Sequence, residues 1–180
     1  MLFRSNKDLA NDLGNLAQRV LSFIQKNAGA AVPQPGAYTD ADRKLLDAAS
    51  ALLPQIRAVL AEQGFHKALD ALWLVIGDAN RYVDAEAPWA LRKTDPARMA
   101  TVLYVLIETV RRIAILTQPF MPDAMAKMLD QLAVPAAARG FAQLAEALSP
   151  GTALPPPVGV FPRFIDEETA KQRAGQGAGA

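Results

Sequence analysis

Residues 95–118 read DPARMATVLYVLIETVRRIAILTQ, and this stretch is the strongest single indication of the fold class. Asp95 followed by Pro96 is a typical helix start, with a carboxylate that caps the helix and a proline in its first turn. The next proline is Pro119, which ends the stretch. Apolar side chains cover more than one face of the predicted helix: Met99, Val102, Leu103, Leu106, Ile107, Val110, Ile113 and Ala114. A helix that is apolar on several faces is buried, so we expect it at the centre of a helical bundle.

Amphipathic segments lie on both sides of this central helix. Ser5 with Asp8, and Thr39 with Asp42, resemble capping boxes that open the first two helices. The composition is rich in alanine and leucine and poor in β-branched residues, which favours helices over sheets. We predict an all-α bundle with helices at about 7–26, 39–64, 65–88 and 95–118, a short helix after Pro122 and a weaker amphipathic piece at about 140–148.

The segment after the helices has a different composition. Residues 150–162 contain five prolines and show no helical period, which predicts an extended strap over the bundle. Apolar side chains are expected to tie this strap down: Val160, Phe161 and Phe164. Residues 167–180 are polar and rich in glycine and alanine, which predicts a disordered tail. The prediction is one domain over residues 1–166, with the strap at 149–166.

Composition also excludes several kinds of chemistry. The chain of 180 residues has a net charge of +1, so affinity for a polyanion must come from a local patch. It has no cysteine and a single histidine, His66, which argues against metal sites, disulfides and cysteine or histidine catalysis. The N-terminus lacks the apolar run of a signal peptide, and no stretch approaches the roughly 20 apolar residues of a membrane span. We therefore expect a cytoplasmic protein without a membrane segment.

One stretch carries groups suited to binding an unstacked nucleotide base. Residues 80–89 read NRYVDAEAPW and end in Trp89, which directly follows Pro88 at a predicted helix end. An indole offers a stacking surface for any base, while amide and guanidinium groups distinguish base edges. Such groups are present at Asn80, at Arg81 and, in the first helix, at Asn15 and Arg19. A Pro-Trp pair at a helix junction also occurs as ordinary core packing, so this stretch alone leaves both interpretations open.

Asn15 and Arg19 share one face of the first helix, because they are four residues apart. The helical period places them beside the buried stripe of Leu16 and Val20. A side chain at this edge is held at its base by packing while its polar tip faces outward. An ordinary solvated flank has the same spacing.

Charged side chains surround the tryptophan. Lys93 and Arg92 follow it closely, and with Lys26 and Arg81 they would form a basic collar for phosphates or a solvated charge cluster. The carboxylates at 84 and 86 are interpreted as surface charges or as groups that orient arginine or asparagine tips. No phosphate-binding loop or nucleophile accompanies them, which argues against a catalytic residue in the chain.

Three separated motifs together give a close resemblance to a known family. The motifs are DLANDLGNL at 8–16 with Arg19, ANRYVD at 79–84 leading to APW at 87–89 with Lys93, and FPR at 161–163. Their order and spacing resemble the C-terminal anticodon-binding helical domain of bacterial methionyl-tRNA synthetase, a class Ia enzyme. The resemblance covers nearly all of residues 3–166.

The resemblance implies roles for the candidate residues. Trp89 would stack on the first base of the CAU anticodon of methionine tRNA, and Asn15 and Arg19 would form hydrogen bonds to anticodon base edges. The pocket would be supported by a second group of residues: Asn80, Arg81, Asp84, Pro88 and Lys93. The implied partners are the anticodon loop of methionine tRNA and the catalytic domain of the parent synthetase.

The family's catalytic signatures, His-Ile-Gly-His and Lys-Met-Ser-Lys-Ser, do not occur in these residues, and neither does its zinc-binding insertion. These residues alone are therefore not expected to be an enzyme or to hold a cofactor, and ATP and methionine would bind the catalytic domain. The C-terminal barrel through which some members dimerise is also missing, so a monomer is expected. The alternatives are a helical protein-interaction or structural module and, with least support, an independent enzyme.

Overall fold

The computed structural model of the chain describes residues 5–161, which form helices packed around one central helix. A π-helical segment (Ser5–Gly14) runs into α1 (Asn15–Asn27), followed by α2 (Asp40–Ala61), α3 (Phe65–Glu86), α4 (Pro88–Thr94), α5 (Pro96–Thr117) and α6 (Pro122–Gln131). Two short 3-10 helices lie at Ala136–Ala138 and Phe141–Ala145. Within residues 5–161, β-type pairing is limited to the isolated bridge between Ala31 and Ala153. The predicted all-α class is confirmed.

Helix α5 is the centre of the bundle, as its sequence predicts. Leu103, Leu106 and Ile107 are fully buried, as is most of the helix from Met99 to Thr117. The helix packs against α1, α2, α3, α4 and α6, so that apolar neighbours surround it. The several apolar faces of α5 are therefore buried against helices that lie on several of its sides.

Two of the predicted helix starts, those of α2 and α5, are formed by the expected caps. Thr39 Oγ1 accepts a hydrogen bond from the Asp42 amide, and the Asp42 carboxylate accepts one from the Thr39 amide at 2.8 Å. At α5, Asp95 Oδ1 accepts a hydrogen bond from the Arg98 amide at 2.9 Å, with Pro96 in the first turn. Both caps satisfy amide groups that have no partner within the helix.

Three features differ from the predicted helices. The first helical segment spans the expected residues, but its first ten residues are π-helical and only Asn15–Asn27 is an α-helix. A short additional helix, α4, separates α3 from α5, and the piece near residues 140–148 is a 3-10 helix at Phe141–Ala145. The spacing of the leucines shows which side of the segment is buried. It does not distinguish an α-helix, whose hydrogen bonds join residues four apart, from a π-helix, whose hydrogen bonds join residues five apart.

The strap is extended and attached to the bundle up to Phe161. It pairs with the loop before α2 through Val32, whose amide donates to the Thr152 carbonyl and whose carbonyl accepts from the Gly151 amide, both at 2.8 Å. Val160 and Phe161 pack on the core as predicted. Phe164 and the predicted tail at 167–180 lie outside the described residues.

Three helix ends meet at the buried carboxylate of Asp42, near the start of α2. Arg98 of α5 donates to both of its oxygens, at 2.5 and 2.8 Å, and the Tyr82 hydroxyl of α3 also donates to it. Burial by itself would raise the pKa of Asp42, but the hydrogen bonds from Arg98 and Tyr82 outweigh burial and bring it to about 2. The same junction raises the pKa of Tyr82, through burial first and then through the adjacent carboxylate.

This lowered pKa predicts a loss of stability in acid. Asp42 stabilises the fold fully above pH about 5, where its carboxyl is ionised in both the folded and the unfolded state, and the contribution is lost as the pH falls from there toward about 2. The expected contribution is roughly 2 kcal/mol. Urea unfolding of the parent and of Asp42→Asn at pH 2 to 5 measures it, because only the parent carries this carboxyl. Identical pH dependence in the two proteins would contradict the assignment.

Candidate nucleic-acid interface

The backbone between α3 and α4 turns Trp89 outward. Ala87 adopts a left-handed conformation with φ 42°, which ends α3, and the buried Pro88 opens α4. Trp89 follows on the first turn of α4, with 47% of its surface exposed. The interpretation of Trp89 as ordinary core packing is therefore wrong, because the anchored residue is Pro88 and the indole lies half outside.

Arg19 lies beside this indole. Its guanidinium carbon is 5.7 Å from the centre of the Trp89 ring, within the range of a cation–π interaction. Arg19 Nη1 also donates to Asp84 Oδ1 at 3.1 Å, which fixes the guanidinium between α1 and α3. Glu86 pairs with Arg98 at 2.7 Å. The predicted use of the two acidic residues as groups that orient arginines agrees with both contacts.

Asn15 lies one turn before Arg19 and is exposed, while Leu16 and Val20 on the adjacent stripe are buried. Both candidate base readers thus lie at the edge of the buried stripe, as the helical period predicts. Asn80 Nδ2 donates to the Ile76 carbonyl at 3.1 Å and to the carbonyl of residue 12 at 3.4 Å. Asn80 therefore joins α3 to the segment that precedes Asn15.

The basic residues around the tryptophan are only partly brought together. Arg92 Nη1 donates to Asn27 Oδ1 at 2.9 Å, so α4 is attached to the end of α1, next to the exposed Lys26. Lys93 is exposed on α4, one turn beyond Trp89. Arg81 instead donates to Asp78 at 2.5 Å on its own helix. The Arg92–Asn27 contact brings Arg92 to the residue that follows Lys26, so a collar of Lys26, Arg92 and Lys93 stays a prediction, while Arg81 forms a separate surface pair.

Sequence reasoning missed two buried ionic clusters. One joins Arg98 to Asp42 and Glu86, and the other joins Glu108 to Arg111 and Arg112 within α5. The signal was present as charged residues inside an otherwise apolar helix, since a buried charge requires a partner. The partners of Arg98 lie far away in sequence and follow only from the packing, whereas Glu108, Arg111 and Arg112 are neighbours on one helix face.

Residues 5–161 contain no group of three or more acidic or histidine side chains arranged to hold a metal ion. In the same range, no helix combines the length and the apolar character needed to cross a membrane.

Comparison with solved structures defines the class: the fold is that of a helical anticodon-binding domain of an aminoacyl-tRNA synthetase. The apo form of Mycobacterium tuberculosis methionyl-tRNA synthetase superposes with a TM-score of 0.89 and 49% identity, over 92% of this chain and 34% of that chain. A structure of the same synthetase with methionyl-adenylate gives a TM-score of 0.87 and 50% identity, over 89% of this chain and 32% of that chain.

A family model described as the anticodon binding domain of methionyl tRNA ligase matches residues 32–179, and the chain belongs to this family. The methionine–tRNA ligase of Brucella suis biovar 1 is 55% identical over 166 residues, or 92% of this chain and 32% of the ligase. That of Mesorhizobium japonicum is 55% identical over 93% of this chain and 33% of the ligase. The chain thus spans about a third of the length of these relatives, and it matches the family of their anticodon-binding domain.

Proposed function

We propose that this domain reads the CAU anticodon of methionine tRNA through Trp89, Arg19 and Asn15. The observation that carries the proposal is the half-exposed Trp89 ring next to the Arg19 guanidinium, which Asp84 holds in place. Stacking on an aromatic ring binds a base of any identity, so Trp89 supplies affinity. Discrimination falls to the groups that form hydrogen bonds to base edges, namely Arg19 and Asn15.

The supporting residues act through these three. Asp84 orients Arg19, Asn80 holds the segment that precedes α1 against α3, and Pro88 anchors the turn that carries Trp89. Lys93 is exposed on the same short helix and is assigned to phosphate contacts.

The domain functions in this proposal as the anticodon-binding part of a cytoplasmic methionine–tRNA ligase. ATP and methionine bind the catalytic part of the ligase, outside these residues, and the domain itself is a monomer that holds no cofactor.

Variants of the base readers test the division of roles. Arg19→Ala and Asn15→Ala should lose most of the preference for a CAU stem-loop over loops with a changed anticodon base, because the lost groups contact base edges. Lys93→Ala is the matched comparison, since it should weaken all loops equally and reduce the salt dependence of binding by about one phosphate contact. Fluorescence anisotropy titrations at several salt concentrations measure both effects.

A preference for CAU that survives in Arg19→Ala and Asn15→Ala, with intact circular dichroism, would contradict the proposed readers. The protein-interaction or structural module would then be the better reading.

A further inference from the structure

Trp89 is carried by an excursion of the chain between α3 and α5, which we call the Trp89 segment (residues 87–97). The residues that flank it are Glu86, the last residue of α3, and Arg98, in the first turn of α5. Glu86 Oε2 accepts hydrogen bonds from Arg98 Nη2 at 2.7 Å and from Arg98 Nε at 3.2 Å. The ion pair therefore joins the two ends of the Trp89 segment at its base.

This ion pair is itself fixed to the body of the domain. Arg98 also donates two hydrogen bonds to the buried Asp42 of α2, and these fix the position of its guanidinium independently of Glu86. The side chains of Arg98 and Glu86 are only 15% and 23% exposed. A pair with little solvent contact is screened less by salt than a surface pair, and a planar guanidinium fixes geometry as well as charge.

The outer end of the Trp89 segment has a second attachment. Arg92, one turn beyond Trp89, donates to Asn27 at the end of α1. The indole thus lies between an attachment at the base of the segment and one at its outer end, with Arg19 of α1 beside it. Both attachments form in the protein without RNA.

We propose that Glu86 and Arg98 are positioning residues, which hold Trp89 next to Arg19 before the anticodon arrives. The inference rests on the proposed function, because it assigns a purpose to the position of Trp89. Because Trp89 is already held in place, RNA binding does not have to bear the entropic cost of ordering it. The affinity for RNA is therefore higher than it would be with a mobile Trp89.

Glu86→Ala tests the proposal, because it opens the base of the segment and leaves the pair of Arg98 with Asp42 intact. The direction of the effect is diagnostic. Removing a carboxylate near an RNA-binding surface favours RNA electrostatically, whereas loss of positioning weakens binding. Asp70→Ala is the charge control, since it removes an exposed carboxylate from the same helix at a distance from the Trp89 segment.

The first readout needs no RNA. In a Trp73→Phe background, Trp89 is the only tryptophan. The Nε1 atom of Trp73 is buried and has no hydrogen-bond partner, so the Trp73→Phe substitution removes no hydrogen bond. At about 20 °C, well below the unfolding temperatures usual for such domains, Glu86→Ala should increase quenching of Trp89 fluorescence by acrylamide. It should also lower the fluorescence anisotropy of Trp89. Asp70→Ala should leave both quantities unchanged.

The second readout is affinity for the CAU stem-loop, which Glu86→Ala should weaken about fivefold relative to Asp70→Ala. Glu86→Gln should change both readouts less and in the same direction, and it serves if the alanine variant does not fold. Unchanged quenching of Trp89, or binding no weaker than that of Asp70→Ala, would overturn the proposal. Trp89→Ala separates failure of the proposed function from failure of the positioning role. If Trp89→Ala binds the stem-loop like the parent, the proposed function is wrong. If Trp89→Ala loses binding and Glu86→Ala does not, only the positioning role is wrong.

Discussion

Glu108→Ala is expected to lower the free energy of unfolding by about 3–5 kcal/mol, the largest effect of any single change considered for this domain. Glu108 is buried in α5, and its carboxylate accepts hydrogen bonds from Arg111 at 2.6 and 2.9 Å and from Arg112 at 2.8 Å. It also accepts the Leu148 amide at 3.1 Å, which attaches the end of the helical region to the central helix.

The large cost arises from what remains after the change. The Arg111 side chain is only 3% exposed, so loss of Glu108 leaves a buried positive charge with backbone carbonyls as its remaining acceptors. Asp78→Ala is the matched control, because it breaks an ion pair of the same spacing on an exposed helix face and should cost less than about 1 kcal/mol. Urea unfolding followed by circular dichroism measures both variants. Equal losses in the two would contradict the structural role of the Glu108 cluster.

Trp89→Ala is expected to weaken binding of the CAU stem-loop by about 1–3 kcal/mol for each base stacked on the ring, or roughly 5- to 150-fold for one base. The indole is half exposed, so its removal should change folding little while it removes the stacking surface. The loss should affect all anticodon sequences, because stacking is indifferent to base identity. Anisotropy titrations with a labelled stem-loop measure the change.

Phe65→Ala provides the control for Trp89→Ala. Phe65 is an exposed aromatic residue at the opposite end of α3, 60% exposed, and its removal should leave stem-loop binding unchanged. Trp89→Phe should retain part of the affinity, since a smaller aromatic ring still stacks. Equal binding by Trp89→Ala and Phe65→Ala would show that the indole is not a stacking platform.

Much of the fold follows from local signals in the sequence. The capping box of Thr39 and Asp42 sets the start of α2, and Asp95 with Pro96 sets the start of α5. Apolar coverage of several faces identifies α5 as the centre. The break before Trp89 is also predictable, because Pro88 cannot continue α3. The left-handed conformation of Ala87 is not predictable, since residues other than glycine seldom adopt a positive φ.

The sequence predicts which helix face each candidate residue lies on, but it does not predict which of these residues contact one another. The helical period places Asn15 and Arg19 on one edge of α1, yet it cannot show that Arg19 meets Asp84, which is 65 positions away. The same limit applies to the pairing of Arg98 with Asp42 and to the hydrogen bond from the Leu148 amide to Glu108. Such contacts depend on which helix ends the packing brings together, and local periodicity does not contain that information.

Titration of the unmodified chain with the anticodon stem-loop of methionine tRNA, and with loops in which one anticodon base is changed at a time, examines the proposed reading of CAU. We expect the CAU loop to bind most tightly and each changed base to cost about tenfold or more, because unmatched base edges leave polar groups of the site unpaired. Equal affinity for all loops, at a salt concentration where binding is measurable, would contradict anticodon reading by these residues.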